Sequence, residues 1–150
     1  MRNEFRKTEK RLYSYRRNLS LLEELRDKAG LLRNNGDVHV QNYSGRLKAG
    51  AVDADPVGAY VQRLLTLEHR IAVLEASTSP VTCLLEYLRS SPDAMHAHFL
   101  TILQAYYFSG TPASRLLEAT GWNRSTFYSR RLSLIIMAAE CFRFVVEEQD

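Results

Sequence analysis

The 150-residue chain has only two cysteines and no long apolar run. Cys83 and Cys141 lie far apart in apolar helical surroundings, so they are expected to be buried, reduced thiols. No window is apolar enough to cross a bilayer, and no signal peptide is recognisable. These absences predict a cytoplasmic protein without membrane contact, and the length of 150 residues predicts one small domain with or without an appended arm.

Motifs for catalysis and cofactor binding are missing as well. There is no glycine-rich phosphate loop, and no nucleophile stands beside a plausible base. His96 and His98 are two positions apart and so point to different faces of a helix, while His39 and His69 have no partner at ligand spacing. The sequence therefore predicts a protein that is not an enzyme and that binds no metal or cofactor.

Acidic residues are missing from a stretch near the C-terminus. Residues 119–140 contain a single carboxylate, Glu140 at the last position, although 25% of the chain is charged. The formal net charge is only +3, but residues 1–33 carry ten Lys or Arg against five Asp or Glu. Net charge alone does not establish nucleic-acid binding, whereas an acid-free stretch that keeps three arginines is typical of a surface that meets phosphates.

The four prolines indicate the layout of the chain. Each follows a residue whose side-chain oxygen can cap a helix, in the pairs Asp55-Pro56, Ser79-Pro80, Ser91-Pro92 and Thr111-Pro112. Proline suits the first position of a helix, where its missing N–H removes no hydrogen bond. Four helix starts are predicted in this way. Since no segment indicates a strand of consequence, the predicted fold class is all-α.

The predicted organisation has four parts. They are a basic N-terminal helix over 1–30, a flexible linker over 31–55, a heptad helix over 56–77, and a helical domain over 78–150 with helices at about 80–90, 92–108, 112–120 and 124–147. Apolar seams run along the first and third parts, at Leu12, Tyr15, Leu19 and Leu22 and at Val57, Tyr60, Leu64, Leu67, Ile71 and Leu74. Helices 4–29 and 56–77 are therefore expected to pair, either as an antiparallel hairpin or with a second chain in a homo-oligomer.

A helix-turn-helix is predicted over 112–147, where the acid-free stretch falls. Gly121, Trp122 and Asn123 join its two helices, and so short a turn requires the helices to cross steeply. Gly121 allows a positive φ, Trp122 is expected to fill the gap between the helices, and Asn123 is expected to cap the second helix through an N–H two or three positions on. Such a motif places its second helix in the major groove of double-stranded DNA.

Helical phase divides the residues of that second helix. The face expected to pack on the preceding helices carries Phe127, Leu134, Ala138, Cys141 and Val145. The residues that point away from it, and are predicted to enter the major groove, are Arg124, Ser125, Tyr128 and Ser129. Arg130 and Arg131 flank the buried face and suit backbone phosphates, and Thr126 suits either a base or a phosphate.

A resemblance to the promoter-reading region 4 of sigma factors is carried by LQAYYFSGTPASRLLEATGWNRSTFYSRRLSLI. The matching positions are Tyr107, Phe108, Gly110, Leu116, Gly121, Ser125, Thr126, Phe127 and Tyr128. With EKRLYSY early and DADPVGAYVQRLLTLEHRIAVLE in the middle, the whole chain resembles phage late-gene transcription regulators of the RinA/ArpU kind. This resemblance implies an N-terminal helical arm, a linker, a sigma-like helix-turn-helix, and action through the RNA polymerase of the bacterial host.

The resulting hypothesis is a sequence-specific transcription activator of phage or prophage late genes. One alternative is a small terminase, a DNA-packaging subunit, although there the DNA reader usually precedes the oligomerising helices. Another is a sigma-like protein-interaction module whose 121–131 surface contacts an acidic partner.

Two other features concern the surface and the core. The basic face of the first helix, with Lys7, Lys10, Arg11, Arg16 and Arg17, is either a DNA contact or a solvated face. The aromatic run 106–108 is predicted to close the core rather than to stack on bases.

Overall fold

The computed structural model describes residues 2–46 and 56–149. Its α-helices are α1 (Arg2–Arg46), α2 (Pro56–Ser90), α3 (Ala94–Thr101), α4 (Ala113–Thr120) and α5 (Arg124–Gln149), and the segment Ile102–Phe108 is π-helical. No strand occurs among the described residues, so the predicted all-α class is confirmed. None of the helices in these ranges is long and apolar enough to span a membrane.

Helix α1 does not end at Gly30 but continues to Arg46. Residues 31–46 are therefore helical, and the predicted linker is wrong over that range; its remainder, 47–55, lies outside the described residues. A glycine inside a helix costs about 1 kcal/mol relative to alanine. Buried Ala29 and half-buried Leu32 lie on either side of Gly30, and packing at these positions offsets a cost of that size.

Helix α2 runs through Pro80, where a new helix was predicted to begin. A proline inside a helix removes one backbone hydrogen bond and costs about 3 kcal/mol. The ring of Pro80 is fully buried, and Val81 and Leu84 after it are 0% exposed. Burial of this turn compensates for the lost hydrogen bond, so the predicted separation of 56–77 from 80–90 is wrong.

The other prolines lie at or just before a helix start. Pro56 begins α2 as predicted, whereas Pro112 precedes α4 and α3 begins only at Ala94. The cap of α3 is Asp93, whose Oδ1 accepts from the N–H of Met95 at 2.9 Å. The predicted cap Ser91 therefore lies outside the helix.

The chain divides into two units, one of residues 19–75 and one of residues 1–18 and 76–150. In the unit of residues 19–75, α1 and α2 run antiparallel: Arg26 pairs with Glu75 at 2.8 Å, and Arg33, seven residues on, pairs with Glu68, seven residues back, at 2.7 Å. Exposed ion pairs contribute at most about 1 kcal/mol each. These two pairs therefore show that the helices are antiparallel but stabilise the hairpin only slightly. Of the two pairings left open by the sequence, the hairpin within one chain is present, and the homo-oligomer stays a prediction.

The unit of residues 1–18 and 76–150 has a single apolar core. Its largest fully buried side chains are those of Leu12, Pro80, Val81, Leu84, Leu88, Ile102, Leu103, Phe127, Leu134 and Ile135. Each large aliphatic or aromatic side chain in such a core contributes roughly 1.5–3 kcal/mol through its burial. The core includes residues of α1, α2 and α5 and of the π-helical segment, and it fixes which face of α5 is left outside.

The cysteines differ from expectation. Cys83 is exposed and Cys141 is half-buried, so neither is the buried thiol that was predicted, and both are free. Burial and the nearby Cys83 raise the pKa of the Cys141 thiol.

Candidate nucleic-acid interface

Helices α4 and α5 are joined by three residues, as the sequence predicts. Gly121 is left-handed, with φ 73° and ψ 8°, and its N–H donates to the carbonyl of Leu117 at 2.9 Å. A residue with a Cβ would be strained in this conformation by roughly 1–2 kcal/mol. Glycine thus ends α4 and lets the chain turn directly into α5.

Asn123 caps α5. Its Oδ1 accepts from the N–H of Thr126 at 2.8 Å and from the hydroxyl of Ser125 at 3.0 Å. The first N–H groups of a helix have no partner within the helix, so this side chain satisfies one of them and fixes where α5 begins. The predicted cap is confirmed.

Asn123→Ala is expected to lower the free energy of unfolding by about 1 kcal/mol, since the Thr126 N–H loses its acceptor. Urea denaturation measures the change. Asn123→Asp is the matched control, because a carboxylate keeps the acceptor and suits the positive end of a helix. Equal stability of the alanine variant and the wild type would show that the cap contributes nothing.

The buried face of α5 agrees with helical phase. Phe127 is 1% exposed, and Leu134 and Ala138 are 0% exposed. Cys141 is half-buried on the same face, and the side chain of Val145 lies outside the described residues. This face anchors α5 to the core and leaves the opposite side of its first two turns open.

The open side carries Arg124, Ser125, Tyr128 and Ser129, all of which are exposed; this set is called the α5 ridge. Tyr128 has 49% of its surface exposed. No acidic residue stands in the first turn of α5, and within the described residues Arg124 makes no ion pair. Thr126 lies beside the ridge and is half-buried.

Arg131 has a different role from the one predicted. Its Nη2 and Nε donate to Oε1 of Glu9, the latter at 3.1 Å, and Nε also lies 3.1 Å from the hydroxyl of Tyr107. Only 20% of the Arg131 side chain and 15% of Glu9 are exposed. A guanidinium held in this way is not available to a phosphate, so Arg131 is withdrawn from the interface.

The pKa values of Tyr107 and Arg131 are both raised. Burial raises the pKa of the Tyr107 phenol, whose hydroxyl donates to Glu9 at 2.8 Å. Burial opposes the charge of Arg131, but the hydrogen bonds to Tyr107 and Glu9 outweigh it and raise the pKa of the guanidinium. The arginine therefore remains charged and the tyrosine neutral, the states in which these hydrogen bonds form.

Arg130 also makes a contact inside the protein. Its guanidinium lies 4.6 Å from the ring centroid of Trp122, and its Nη1 is buried without a hydrogen-bond partner. The half-buried Trp122 in turn meets the ring of His98 edge-on at 5.2 Å, so it packs toward α3 as well as α5. The cation–π contact stabilises the turn at 121–123, to which Trp122 belongs. The predicted phosphate contact of Arg130 stays a prediction.

The π-helical segment holds the aromatic run. The N–H of Ser109 bonds the carbonyl of Gln104, five residues back, at 3.0 Å. Tyr107 is 2% exposed and reaches Glu9 and Arg131, while Tyr106 meets Phe127 at 5.4 Å between ring centroids. The prediction that this run closes the core is confirmed for Tyr107, and Tyr106 is half-buried.

Sequence reasoning missed two residues that matter for the site. Glu9 holds Arg131 across 122 positions, and Glu4 holds Arg143 across 139. No periodicity or motif relates residues so far apart, so the sequence contains no signal for these pairs. Within the described residues, no group of three or more His, Cys, Asp or Glu could hold a metal ion.

The chain matches no protein-family model, no curated protein and no solved structure. The α5 ridge offers one guanidinium and three hydroxyls, all able to donate hydrogen bonds, and no carboxylate. Such a surface is suited to binding an anionic partner.

Proposed function

We propose that this chain is a sequence-specific activator of transcription that binds double-stranded DNA and reads a promoter with α5. The observation that carries the proposal is the exposed α5 ridge, an acid-free row of hydrogen-bond donors at the start of a helix that follows a three-residue turn. This is the position at which a helix-turn-helix protein presents side chains to base edges.

The ridge fits the major groove in size and chemistry. Arg124 can donate two hydrogen bonds to the N7 and O6 of one guanine, the commonest specific contact to a base pair. Ser125, Tyr128 and Ser129 carry hydroxyls that suit base edges or phosphates. Cations at the edge of the groove release counterions from the DNA backbone, and this raises the affinity of the protein for every DNA sequence to the same extent.

The biological setting comes from the resemblance to phage late-gene regulators and to sigma region 4. It supports a role in switching on phage or prophage late genes together with the host RNA polymerase. In that setting the α5 ridge selects the promoter. Polymerase is then contacted by another surface of the protein.

Arg124→Ala is expected to weaken binding to the preferred duplex by roughly 5- to 150-fold, equivalent to about 1–3 kcal/mol, and to relax preference at one base pair. The preferred duplex is first selected from a randomised library, and binding is then measured by fluorescence anisotropy. The matched control is Arg89→Ala, which removes an exposed arginine in the last turn of α2, a helix that carries no ridge residue.

The outcomes separate the candidate functions. Loss of affinity and of preference in Arg124→Ala, with Arg89→Ala unchanged, supports the proposal. Wild-type protein that binds no duplex at low salt would exclude it and leave the protein-interaction module. A ring of eight or more copies by mass photometry would instead favour the DNA-packaging subunit.

A further inference from the structure

The acidic residues of the first part of α1 are neutralised by α5. Glu4 pairs with Arg143 at 2.5 Å, and Glu9 pairs with Arg131. Residues 2–18 contain no other carboxylate. The sequence shows a basic segment interrupted by two acids, whereas in the folded protein both acids already have arginine partners.

The cations of this segment are not paired in the same way. Six of them are exposed and make no ion pair within the described residues: Arg2, Arg6, Lys7, Lys10, Arg16 and Arg17. At about 100° per residue, Arg2, Arg6, Lys10, Tyr13 and Arg17 fall within an arc of about 80° on α1. This set is called the α1 stripe, and it extends for about 22 Å along the helix.

A chain of aromatic contacts joins the α1 stripe to the α5 ridge. The ring of Tyr13 lies 6.1 Å from that of Tyr106, Tyr106 lies 5.4 Å from Phe127, and Phe127 lies 5.5 Å from Tyr128. The two ends are exposed, Tyr13 by 46% and Tyr128 by 49%. The three centroid distances together are shorter than one helical turn of duplex DNA, about 34 Å. The two ends are therefore close enough for one duplex to contact both.

We propose that the α1 stripe is a second DNA contact, which binds backbone phosphates beside the major groove that the α5 ridge enters. This inference rests on the proposed function of the ridge. Each strand of duplex DNA carries one phosphate per about 3.4 Å of helix axis, so the stripe is long enough to meet several phosphates. Lysine and arginine on flexible stems suit such contacts, which position a protein on DNA without selecting sequence.

The composition of the stripe favours nucleic acid over a protein partner. Arginine and tyrosine are common in protein interfaces, but the centre of such an interface is apolar and depleted in charged residues. The α1 stripe has four cations and one tyrosine, and no aliphatic side chain. Burial, followed by the hydrogen bond to Tyr106, raises the pKa of the Tyr13 phenol, so this side chain is neutral and does not repel phosphate.

The test compares two double variants of the full chain. Lys10→Gln with Arg17→Gln removes two cations of the stripe, and Lys7→Gln with Arg16→Gln removes two exposed cations of the same helix outside its arc. Binding to the selected duplex and to a random duplex is measured by anisotropy across a salt series. Circular dichroism confirms that each variant is folded.

The stripe variant is expected to make the slope of log affinity against log salt less steep by about 2, equally for both duplexes. Each phosphate contact contributes about 0.9 to the magnitude of this slope, and two contacts are lost. The control pair is expected to lower it by less than half of that amount. A slope in the stripe variant equal to that of the wild type, or a loss no greater than in the control, overturns the inference. If Arg124→Ala still loses sequence preference in that case, the proposed function stands; if the wild type binds no duplex, both are excluded.

Discussion

Phe127→Ala is expected to lower the free energy of unfolding by about 3–5 kcal/mol, among the largest effects for any single truncation in this chain. Phe127 is 1% exposed, and its ring meets those of Tyr106 at 5.4 Å and Tyr128 at 5.5 Å. Truncation leaves a cavity at the point where α5, the π-helical segment and the aromatic contacts meet. Small domains are stable by only about 5–15 kcal/mol, so a large part of the total is lost. Urea denaturation measures the change in the free energy of unfolding.

The matched control is the next residue. Tyr128→Ala truncates an aromatic side chain on the same turn that is 49% exposed, so its effect on stability is expected to stay below about 1 kcal/mol. Its effect on DNA binding is expected to be the larger one, because Tyr128 belongs to the α5 ridge. A similar loss of stability in both variants would contradict the assignment of buried and open faces on α5.

Glu9→Leu is expected to lower the free energy of unfolding by at most roughly 3 kcal/mol, the lower end of the range for a fully buried ion pair, because Glu9 and Arg131 are half-buried. The guanidinium of Arg131 would lose the carboxylate that accepts from its Nη2 and Nε, and the Tyr107 hydroxyl would lose its acceptor. The side chains of Arg131 and Glu9 are only 20% and 15% exposed, so water replaces little of this loss.

A double-mutant cycle separates the ion pair from the packing around it. Arg131→Met alone leaves Glu9 without its cation, whereas Glu9→Leu with Arg131→Met replaces the pair by apolar groups of similar size. Such replacements are often close to neutral, so the double variant is expected to recover most of the stability lost in either single variant. Strictly additive losses would show that the two side chains do not interact.

This cycle also tests the correction at Arg131. A phosphate-binding arginine would change DNA affinity and salt dependence with little effect on folding. The expected result for Arg131→Met is the reverse: a loss of stability with the salt slope unchanged under conditions where the variant is folded. That result would mean that Arg131 holds α5 against α1 and that the DNA binding proposed for the α5 ridge does not depend on it.

Local features of the site were predictable because they depend on neighbours in sequence. The turn at 121–123, the cap at Asn123 and the division of α5 into a buried and an open face follow from backbone geometry and a period of 3.6 residues. The structure confirms each of them. Helix ends elsewhere were less predictable, since Gly30 and Pro80 stop a helix only where packing does not offset their cost.

Sequence by itself determined the all-α class, the position of α4 and α5, and the acid-free character of the α5 ridge, because these depend on residue type and spacing over a few turns. Only the tertiary structure decided which charges remain available. In the folded protein Arg131 pairs with Glu9 and Arg143 pairs with Glu4, whereas the cations of the α1 stripe are exposed. Pairing across more than 120 positions depends on how helices pack in space, and no local pattern in the chain encodes it.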